Sequence, residues 1–158
     1  MLSEPLVVSE RLVFPGLAAT TVEAALTEMA AGLESAGIVR SAPDLAKRLR
    51  EREAMGSTGL GGGLAIPHCK VRELADVVLS IGISRAGIDF HSPDGEPVTV
   101  LFLVLSPAES PALHLQALAR ISRLIRIPGV AESLRDADGA AGVAAAWAEA
   151  ERHAAVPA

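Results

Sequence analysis

The stretch VTVLFLVL at residues 98–105 is the longest apolar run of the chain, and it decides the class of fold. A strand that is apolar at almost every position is typical of the middle of a sheet whose two faces are both covered. The run VVLSIGI at residues 77–83 has the same character, and the turn-forming sequence SPDG at residues 92–95 lies between the two runs. We therefore expect the two runs to form a hairpin within a sheet.

Helical patterns flank these strands on both sides along the chain. The first helix is predicted to begin at Thr21 and to end near Gly37, a residue typical of the position after a helix. The second is predicted to begin with Ser41 as its cap and to stop at Gly56. Further elements are predicted as helices over residues 110–126 and 130–135 and from about residue 139, an edge strand within residues 7–14 and a short strand at residues 64–66. This order predicts a central sheet with helices on both faces.

The composition indicates one folded domain and excludes several functions. The chain has 158 residues, of which 50% are hydrophobic, so a packed core is available. Its net charge of -5, with only three Phe and one Trp, disfavours binding to nucleic acid. The apolar runs are too short to span a bilayer, and the first residues lack the pattern of a signal peptide. We therefore expect a cytoplasmic protein without membrane insertion, in which Cys69, the single cysteine, forms no internal disulfide.

The glycine-rich stretch GSTGLGGGLAIPH at residues 56–68 is the main candidate for chemistry. Glycines expose backbone N–H groups to an anion, and a histidine acts as a nucleophile or proton carrier near neutral pH. Walker and dinucleotide loops are excluded, because no Gly-Lys-Ser/Thr sequence follows the glycines and a strand rather than a helix comes next. Pro67 restricts Ile66 to an extended conformation and so holds His68 in place. An ordinary histidine in a turn is the alternative for His68.

Arg52 and His114 are candidates to share a site with His68. His114 begins an apolar helical stripe that continues through Leu118 and Ile121. Two interpretations stay open for it: a second imidazole in the cleft of His68, or a core histidine bonded to a backbone carbonyl. Arg52 lies four residues before the glycine loop, and its planar guanidinium suits a phosphoryl group. Neighbouring basic residues are attributed to interaction with the helix dipole.

The remaining polar residues near the glycine loop and the other histidines differ in their expected roles. Ser57 and Thr58 offer hydroxyl donors to the same anion. Cys69 follows the candidate histidine, but adjacent residues of a strand point to opposite faces, which disfavours a thiol–imidazole pair. His91 and His153 are expected to be exposed and without a role. The histidines and the cysteine lack the spacing of a metal site, so no metal is expected.

These residues resemble a known family, the type-2 enzyme IIA domain of the bacterial phosphoenolpyruvate-dependent sugar phosphotransferase system. This group includes fructose-type, mannitol-type and nitrogen-regulatory enzymes IIA. The block REAMGSTGLGGGLAIPH at residues 52–68 is similar to the family's pattern of arginine–glutamate, Ser/Thr-Thr-Gly and Ala-hydrophobic-Pro-His. The block HLQALARIS at residues 114–122 is similar to the family's helix with a second histidine. The resemblance implies an α+β fold, a three-layer α/β/α sandwich with a mixed central β-sheet, in a single domain over residues 1–158 with a core of about residues 12–147.

The resemblance also implies roles for the residues at matching positions. His68 is expected to accept a phosphoryl group from the phosphohistidine of the carrier HPr and to pass it to an enzyme IIB partner, on a cysteine in sugar-type systems. His114 is expected to support the phosphorylated imidazole, and Arg52 to compensate the phosphate charge. Phosphate binding is expected from three residues of the glycine loop, Ser57, Thr58 and Gly59. Alignment and charge stabilisation suffice for this transfer, so no cofactor is expected.

The resemblance leaves two functions open. We expect a phosphotransferase component that carries phosphoryl groups in sugar uptake, with the fructose type favoured. The alternative is a nitrogen-type regulatory enzyme IIA, whose phosphorylation state controls its binding to target proteins. A degenerate domain that keeps the fold without phosphorylation is disfavoured, because His68, His114 and Arg52 are all retained.

Overall fold

A computed structural model describes residues 5–155 of the chain. Its strands are β1 (Val13–Phe14), β2 (Gly59–Gly61), β3 (Leu64–Ala65), β4 (His68–Val71), β5 (Val78–Ile88) and β6 (Val98–Pro107). Its helices are α1 (Val22–Ser35), α2 (Ala42–Met55), α3 (Pro111–Leu124), α4 (Val130–Asp136) and α5 (Gly139–Ala155). Every predicted helix is present, whereas β2 and β4 go beyond the sequence prediction. No helix within the described range is long and apolar enough to cross a membrane.

The strands form one mixed sheet in the order β1-β5-β6-β3-β2, and β4 also pairs with β6. β5 and β6 are antiparallel neighbours, with Ile81 opposite Phe102, so the predicted hairpin is confirmed. β3 and β4 both run parallel to β6. Because β5 occupies one edge of β6, β3 and β4 share the other edge. The short link between them therefore carries the chain along β6 to His68.

The side chains of β6 alternate between two hydrophobic cores. One core lies between the sheet and the helices α3, α4 and α5, and it contains Val100, Phe102 and Val104. The other core lies between the sheet and the helices α1 and α2, and it contains Leu101, Leu103 and Leu105. Burial on both faces explains why this strand is apolar at nearly every position. The predicted three-layer α/β/α sandwich with a mixed sheet is confirmed.

The segment before β1 differs from the edge strand predicted within residues 7–14. Only Val13–Phe14 pairs, parallel to β5 at one edge of the sheet. Ser9 caps a single 3-10 turn at Glu10–Leu12, and this turn interrupts the extended backbone. Upstream, Leu6 donates its N–H to Glu151 of α5 at 2.7 Å. The backbone N–H of Leu6 is thus satisfied by α5 rather than by a neighbouring strand, and β1 contains only two residues.

α2 delivers the chain to the glycine loop. Ser41 caps this helix by accepting a hydrogen bond from the backbone N–H of Asp44 at 3.2 Å, as predicted, and Gly56 follows its last residue. Beyond β2, three successive glycines at residues 61–63 have φ angles of 89°, 65° and 81°. Residues with a Cβ rarely adopt this left-handed conformation. The glycine run therefore lets the chain reverse from β2 into β3, which leads directly to His68.

Candidate active site

The register of β4 decides which way the side chain of His68 points. In the parallel pair with β6, His68 lies opposite Val104 and Lys70 lies opposite Ser106. Val104 belongs to the core beneath α3, whereas Cys69 packs against the opposite core. His68 and Lys70 therefore face α3, since alternate residues of a strand share a face. Burial raises the pKa of the Cys69 thiol to about 11, which leaves a protonated thiol turned away from the imidazole.

The two ring nitrogens of His68 have different partners. Nδ1 lies 2.7 Å from the carbonyl oxygen of Ile66, and because a carbonyl only accepts, this nitrogen carries the proton. Nε2 accepts a hydrogen bond from Nε of Arg52 at 3.2 Å, so it presents the lone pair. Burial lowers the pKa of His68, opposed by the hydrogen bond to Ile66; the charge of Arg52 lowers it further and that of Glu53 raises it. The result is a neutral imidazole with its lone pair on Nε2.

Arg52 connects the end of α2 to this imidazole. Its Nη1 donates to the carbonyl oxygen of Gly56 at 2.9 Å, while its Nε reaches His68. One side chain therefore binds a carbonyl at the C-terminal end of the helix and also contacts the nucleophile candidate, His68. A guanidinium has five N–H donors, and these contacts use two of them.

His114 lies against His68 in the first turn of α3. The ring centroids are 5.2 Å apart, with the ring planes at 55°. Nδ1 of His114 is buried and has no hydrogen-bond partner within residues 5–155, so no backbone carbonyl satisfies it as the core-histidine interpretation requires. Burial lowers the pKa of His114, and the charges of His68, Lys70 and Arg52 act in the same direction. Both imidazoles are therefore neutral at about pH 7.

The hydroxyls of Ser57 and Thr58 and the N–H groups of Thr58 and Gly59 donate hydrogen bonds to other groups of the protein. The Ser57 hydroxyl donates to the carbonyl of Phe90, and the N–H of Gly59 donates to the Ser57 hydroxyl oxygen at 3.0 Å. Thr58 donates its N–H to the carboxylate of Glu53 at 3.1 Å and its hydroxyl to the same carboxylate. These three loop residues line the depression beside the imidazole. Their predicted binding to phosphate stays a prediction.

His68 lines a shallow depression of about 230 Å³. Arg52 and the glycine loop contribute one part of its wall, and Leu118 of α3 contributes another. Exposed apolar side chains lie on the same elements: Leu60 on β2 is 48% exposed and Leu115 on α3 is 68% exposed. The depression is thus open, with apolar side chains on the elements around a neutral nucleophile candidate. This arrangement suits a reactive group that meets another protein surface.

Two residues at this site have no role in the sequence analysis. Glu53 holds Thr58, and Lys70 shares the α3-facing side of β4 with the nucleophile candidate. Each had a signal in the sequence: Glu53 belongs to the arginine–glutamate pair of the matching block, and Lys70 lies two strand positions after His68. The arginine–glutamate pattern indicates Glu53 but not its contact with Thr58. Lys70 shares a face with His68 only because residues 68–71 form a strand, and their sequence does not predict one.

The remaining histidines do not line the depression. The side chains of His91 and His153 are 85% and 70% exposed, as expected from the sequence. Within residues 5–155, no group of three or more His, Cys, Asp or Glu side chains is arranged to hold a metal ion.

The fold defines the class of protein, because solved enzymes IIA have the same architecture. The structure is similar to the nitrogen regulatory protein IIA-Ntr of Neisseria meningitidis, with a TM-score of 0.81 and 27% identity over 89% of this chain and 96% of that one. It has the same fold as the mannitol enzyme IIA of Escherichia coli, solved in complex with phosphorylated enzyme IIB; the TM-score is 0.73, at 17% identity, over 91% of this chain and 99% of that one.

The family follows from the sequence as a whole. The family model described as "Phosphoenolpyruvate-dependent sugar phosphotransferase system, EIIA 2" matches residues 6–147. The chain belongs to this family, whose members act as phosphoryl carriers. The resemblance drawn from residues 52–68 and 114–122 is thereby confirmed.

The relatives divide between two functional types. A nitrogen regulatory protein of Bradyrhizobium diazoefficiens is 39% identical over 129 residues, which are 81% of this chain and 83% of that protein. The fructose-specific EIIABC component of Bacillus subtilis is 31% identical over 116 residues, which are 73% of this chain and 18% of that protein. The two types are equally supported, so the predicted preference for the fructose type has no support over the nitrogen type.

Proposed function

We propose that the chain is a phosphoryl carrier that is phosphorylated on Nε2 of His68. The observation that carries this proposal is the division of the ring nitrogens: Nδ1 donates to Ile66, and Nε2 presents its lone pair beside Arg52. A neutral imidazole whose proton is held on the far nitrogen needs no separate base before it attacks phosphorus. The lowered pKa of His68, caused mainly by burial, keeps the imidazole in this form at neutral pH.

The transfer requires one bond to form and one to break. Nε2 forms a bond to phosphorus, and the nitrogen–phosphorus bond of the donor phosphohistidine breaks, with its electron pair returning to the donor nitrogen. The donor that we propose is HPr. His68 keeps its proton on Nδ1, and the Ile66 carbonyl stabilises the positive charge that the ring acquires. The reaction then depends on alignment and on compensation of the phosphoryl charge.

Arg52 and His114 supply that compensation in the proposal. Once the lone pair of Nε2 binds phosphorus, Nε of Arg52 loses its acceptor and is free to donate to a phosphoryl oxygen. His114, whose ring centroid lies 5.2 Å from that of His68, is expected to donate an N–H to another phosphoryl oxygen. Ser57, Thr58 and Gly59 are expected to line the bound phosphate from the loop.

The acceptor distinguishes two functions for the carrier. In sugar uptake, phosphorylated His68 passes its group to an enzyme IIB partner, which docks over the depression. The mannitol enzyme IIA of Escherichia coli, which has the same fold as this chain, forms a complex with phosphorylated enzyme IIB, and this supports a partner of that kind. The second candidate is regulation, in which the phosphorylation state controls binding to target proteins. The 39% identity to a nitrogen regulatory protein, over 83% of that protein's length, supports this candidate.

Label transfer tests the common part of the proposal. The chain is incubated with labelled phosphoenolpyruvate, enzyme I and HPr, and label on the chain is measured over time. The parent and a His91→Ala control are expected to take up label equally, because His91 is exposed and does not line the depression. His68→Ala is expected to take up none. Equal labelling of His68→Ala and the parent would disprove the proposal.

A second assay separates the two functions. The labelled chain is purified and mixed with a fructose-type enzyme IIB that has its cysteine, or with a matched enzyme IIB in which that cysteine is replaced by serine. Rapid passage of label to the first protein alone supports the role in sugar uptake. Retention of the label with both proteins refutes that role and supports regulation.

A further inference from the structure

Glu53 holds Thr58 with both of its carboxylate oxygens. It lies in the last turn of α2 next to Arg52 and is partly buried. One oxygen accepts the backbone N–H of Thr58 at 3.1 Å, and the other accepts the Thr58 hydroxyl. Thr58 is itself buried, so these two donors have no access to bulk water. A carboxylate is the side chain that accepts two such donors at once.

Thr58 in turn is connected to the nucleophile through the backbone. Its carbonyl accepts the N–H of Ile66 at 3.1 Å, and the carbonyl of Ile66 accepts Nδ1–H of His68 at 2.7 Å. Pro67 restricts Ile66 to an extended conformation, so an Ile66 N–H that is held by Thr58 also fixes the direction of the Ile66 carbonyl. The chain of contacts thus runs from the Glu53 carboxylate to Nδ1 of the imidazole.

Arg52 and Glu53 therefore reach the two nitrogens of one imidazole from adjacent positions of α2. Arg52 contacts Nε2 directly, and Glu53 reaches Nδ1 through Thr58 and Ile66. We propose that Glu53 is a positioning residue that selects the Nδ1–H tautomer of His68 and so keeps the lone pair on Nε2. This inference rests on the proposed phosphorylation of His68 and names a residue that the phosphoryl group itself does not touch.

The charge of Glu53 acts on His68 separately from its hydrogen bonds to Thr58. Burial is the largest influence on the pKa of His68 and lowers it, and the negative charge of Glu53 acts in the opposite sense. Glu53 therefore does more than fix the loop, because its charge also stabilises the proton that His68 acquires on titration. Removing the charge while keeping an acceptor oxygen separates the two effects, and Glu53→Gln does this.

Nitrogen spectra of the histidine side chains provide a readout that loop rigidity alone does not change. In the ¹⁵N-labelled parent, His68 is expected to show a protonated Nδ1 and an unprotonated Nε2. In Glu53→Ala, we expect a mixture of both tautomers and phosphorylation by phosphorylated HPr that is slower by about tenfold, because only about a tenth of the imidazole then presents its lone pair on Nε2. The matched control is Glu51→Ala, an exposed residue of the same helix, which is expected to match the parent in both measurements.

The role of Glu53 and the proposed phosphorylation of His68 are tested by different variants, so either can fail without the other. A Glu53→Ala protein that folds and retains the Nδ1–H tautomer overturns the inference, whatever its rate. Should Glu53→Ala not fold, Glu53→Gln decides: it keeps one acceptor oxygen, so an intermediate tautomer ratio is expected and an unchanged ratio overturns the inference. Labelling of His68→Ala would instead disprove the proposed function. The tautomer measurement does not depend on that result, because it uses the unphosphorylated protein.

Discussion

Replacement of Arg52 tests the charge compensation at the site most directly. Arg52 makes two contacts from one guanidinium: Nε donates to Nε2 of His68 at 3.2 Å, and Nη1 donates to the carbonyl of Gly56 at 2.9 Å. Lysine keeps the positive charge but has a single ammonium group, which cannot occupy both positions of the planar fork. Arg52→Lys therefore removes one of the two contacts without removing the charge, and Arg52→Ala removes both contacts and the charge.

The size of the effect follows from the hydrogen bonds to the phosphoryl group that each substitution weakens or removes in the transition state. A hydrogen bond to a charged group contributes about 1.5–3 kcal/mol, and each 1.4 kcal/mol of barrier is about a factor of ten in rate. Arg52→Lys is therefore expected to slow phosphoryl uptake by roughly 10-fold to 100-fold, and Arg52→Ala by more, because the phosphoryl charge is then uncompensated at Nε2. The same removal of charge is expected to raise the pKa of His68 in Arg52→Ala, because the charge of Arg52 lowers it in the parent.

Two assays check these expectations. Rapid-quench kinetics with phosphorylated HPr measure the rate of uptake, and titration of the His68 ring by NMR measures its pKa. Arg50→Lys is the matched control, because Arg50 is exposed on the same helix and lies 3.5 Å from the Thr27 hydroxyl rather than at the site. Uptake by Arg52→Ala at the rate of the parent, with an unchanged pKa of His68, would refute the assignment of Arg52.

Three further predictions concern stability, pH and the second histidine. Glu151 is buried and accepts hydrogen bonds from Arg120 and from the Leu6 N–H, so Glu151→Ala is expected to lower the free energy of unfolding in urea by about 1–3 kcal/mol; the exposed Glu149→Ala is expected to lower it much less, and equal effects would contradict the prediction. Because the pKa of His68 is lowered from 6.5, the imidazole is neutral at higher pH, so uptake is expected to be constant above about pH 7 and to fall only on acidification. A pH–rate profile that still rises above about pH 7 would contradict this. His114→Ala is expected to take up label about tenfold more slowly in the rapid-quench assay, because one hydrogen bond to the phosphoryl group is missing, and an unchanged rate would remove its supporting role.

The helices and the hairpin could be predicted because their signals are local. Ser41 as a cap, Gly37 after a helix and the apolar runs of β5 and β6 each act within a few residues of the feature that they determine. β2 and β4 have no such signal, since HCKV and GLG are not typical strand sequences. β4 exists because the chain between α2 and β5 lies along the free edge of β6, and β2 exists because it pairs with β3, which occupies part of that edge. That edge is a product of the assembled sheet, so the sequence pattern does not reveal it.

The same difference between local and long-range signals applies to the candidate site. The position of Arg52 beside the glycine loop follows from sequence spacing, because the helix ends three residues after the arginine and the loop begins there. The closeness of His114 to His68 was expected from the family resemblance rather than from spacing, since 46 residues separate the two histidines. The partners of the loop donors were not expected. Ser57 binds a carbonyl 33 residues away, and nothing in a serine's sequence neighbourhood identifies that partner.

The occupied donors of the glycine loop have a consequence for how long a phosphoryl group is held. The donors of Thr58 must leave Glu53, and the Ser57 hydroxyl must leave Phe90, before they turn toward phosphate. Exchanging one hydrogen bond for another yields a small net free energy, so these donors add little to the affinity for the phosphoryl group. Arg52 differs, because attack by Nε2 removes its acceptor and leaves its N–H without a partner. Stabilisation by Arg52 that is greatest in the transition state, while the bond to phosphorus forms or breaks, lowers the barrier to release as well as the barrier to uptake. A carrier needs this balance, since it must release the group it accepts.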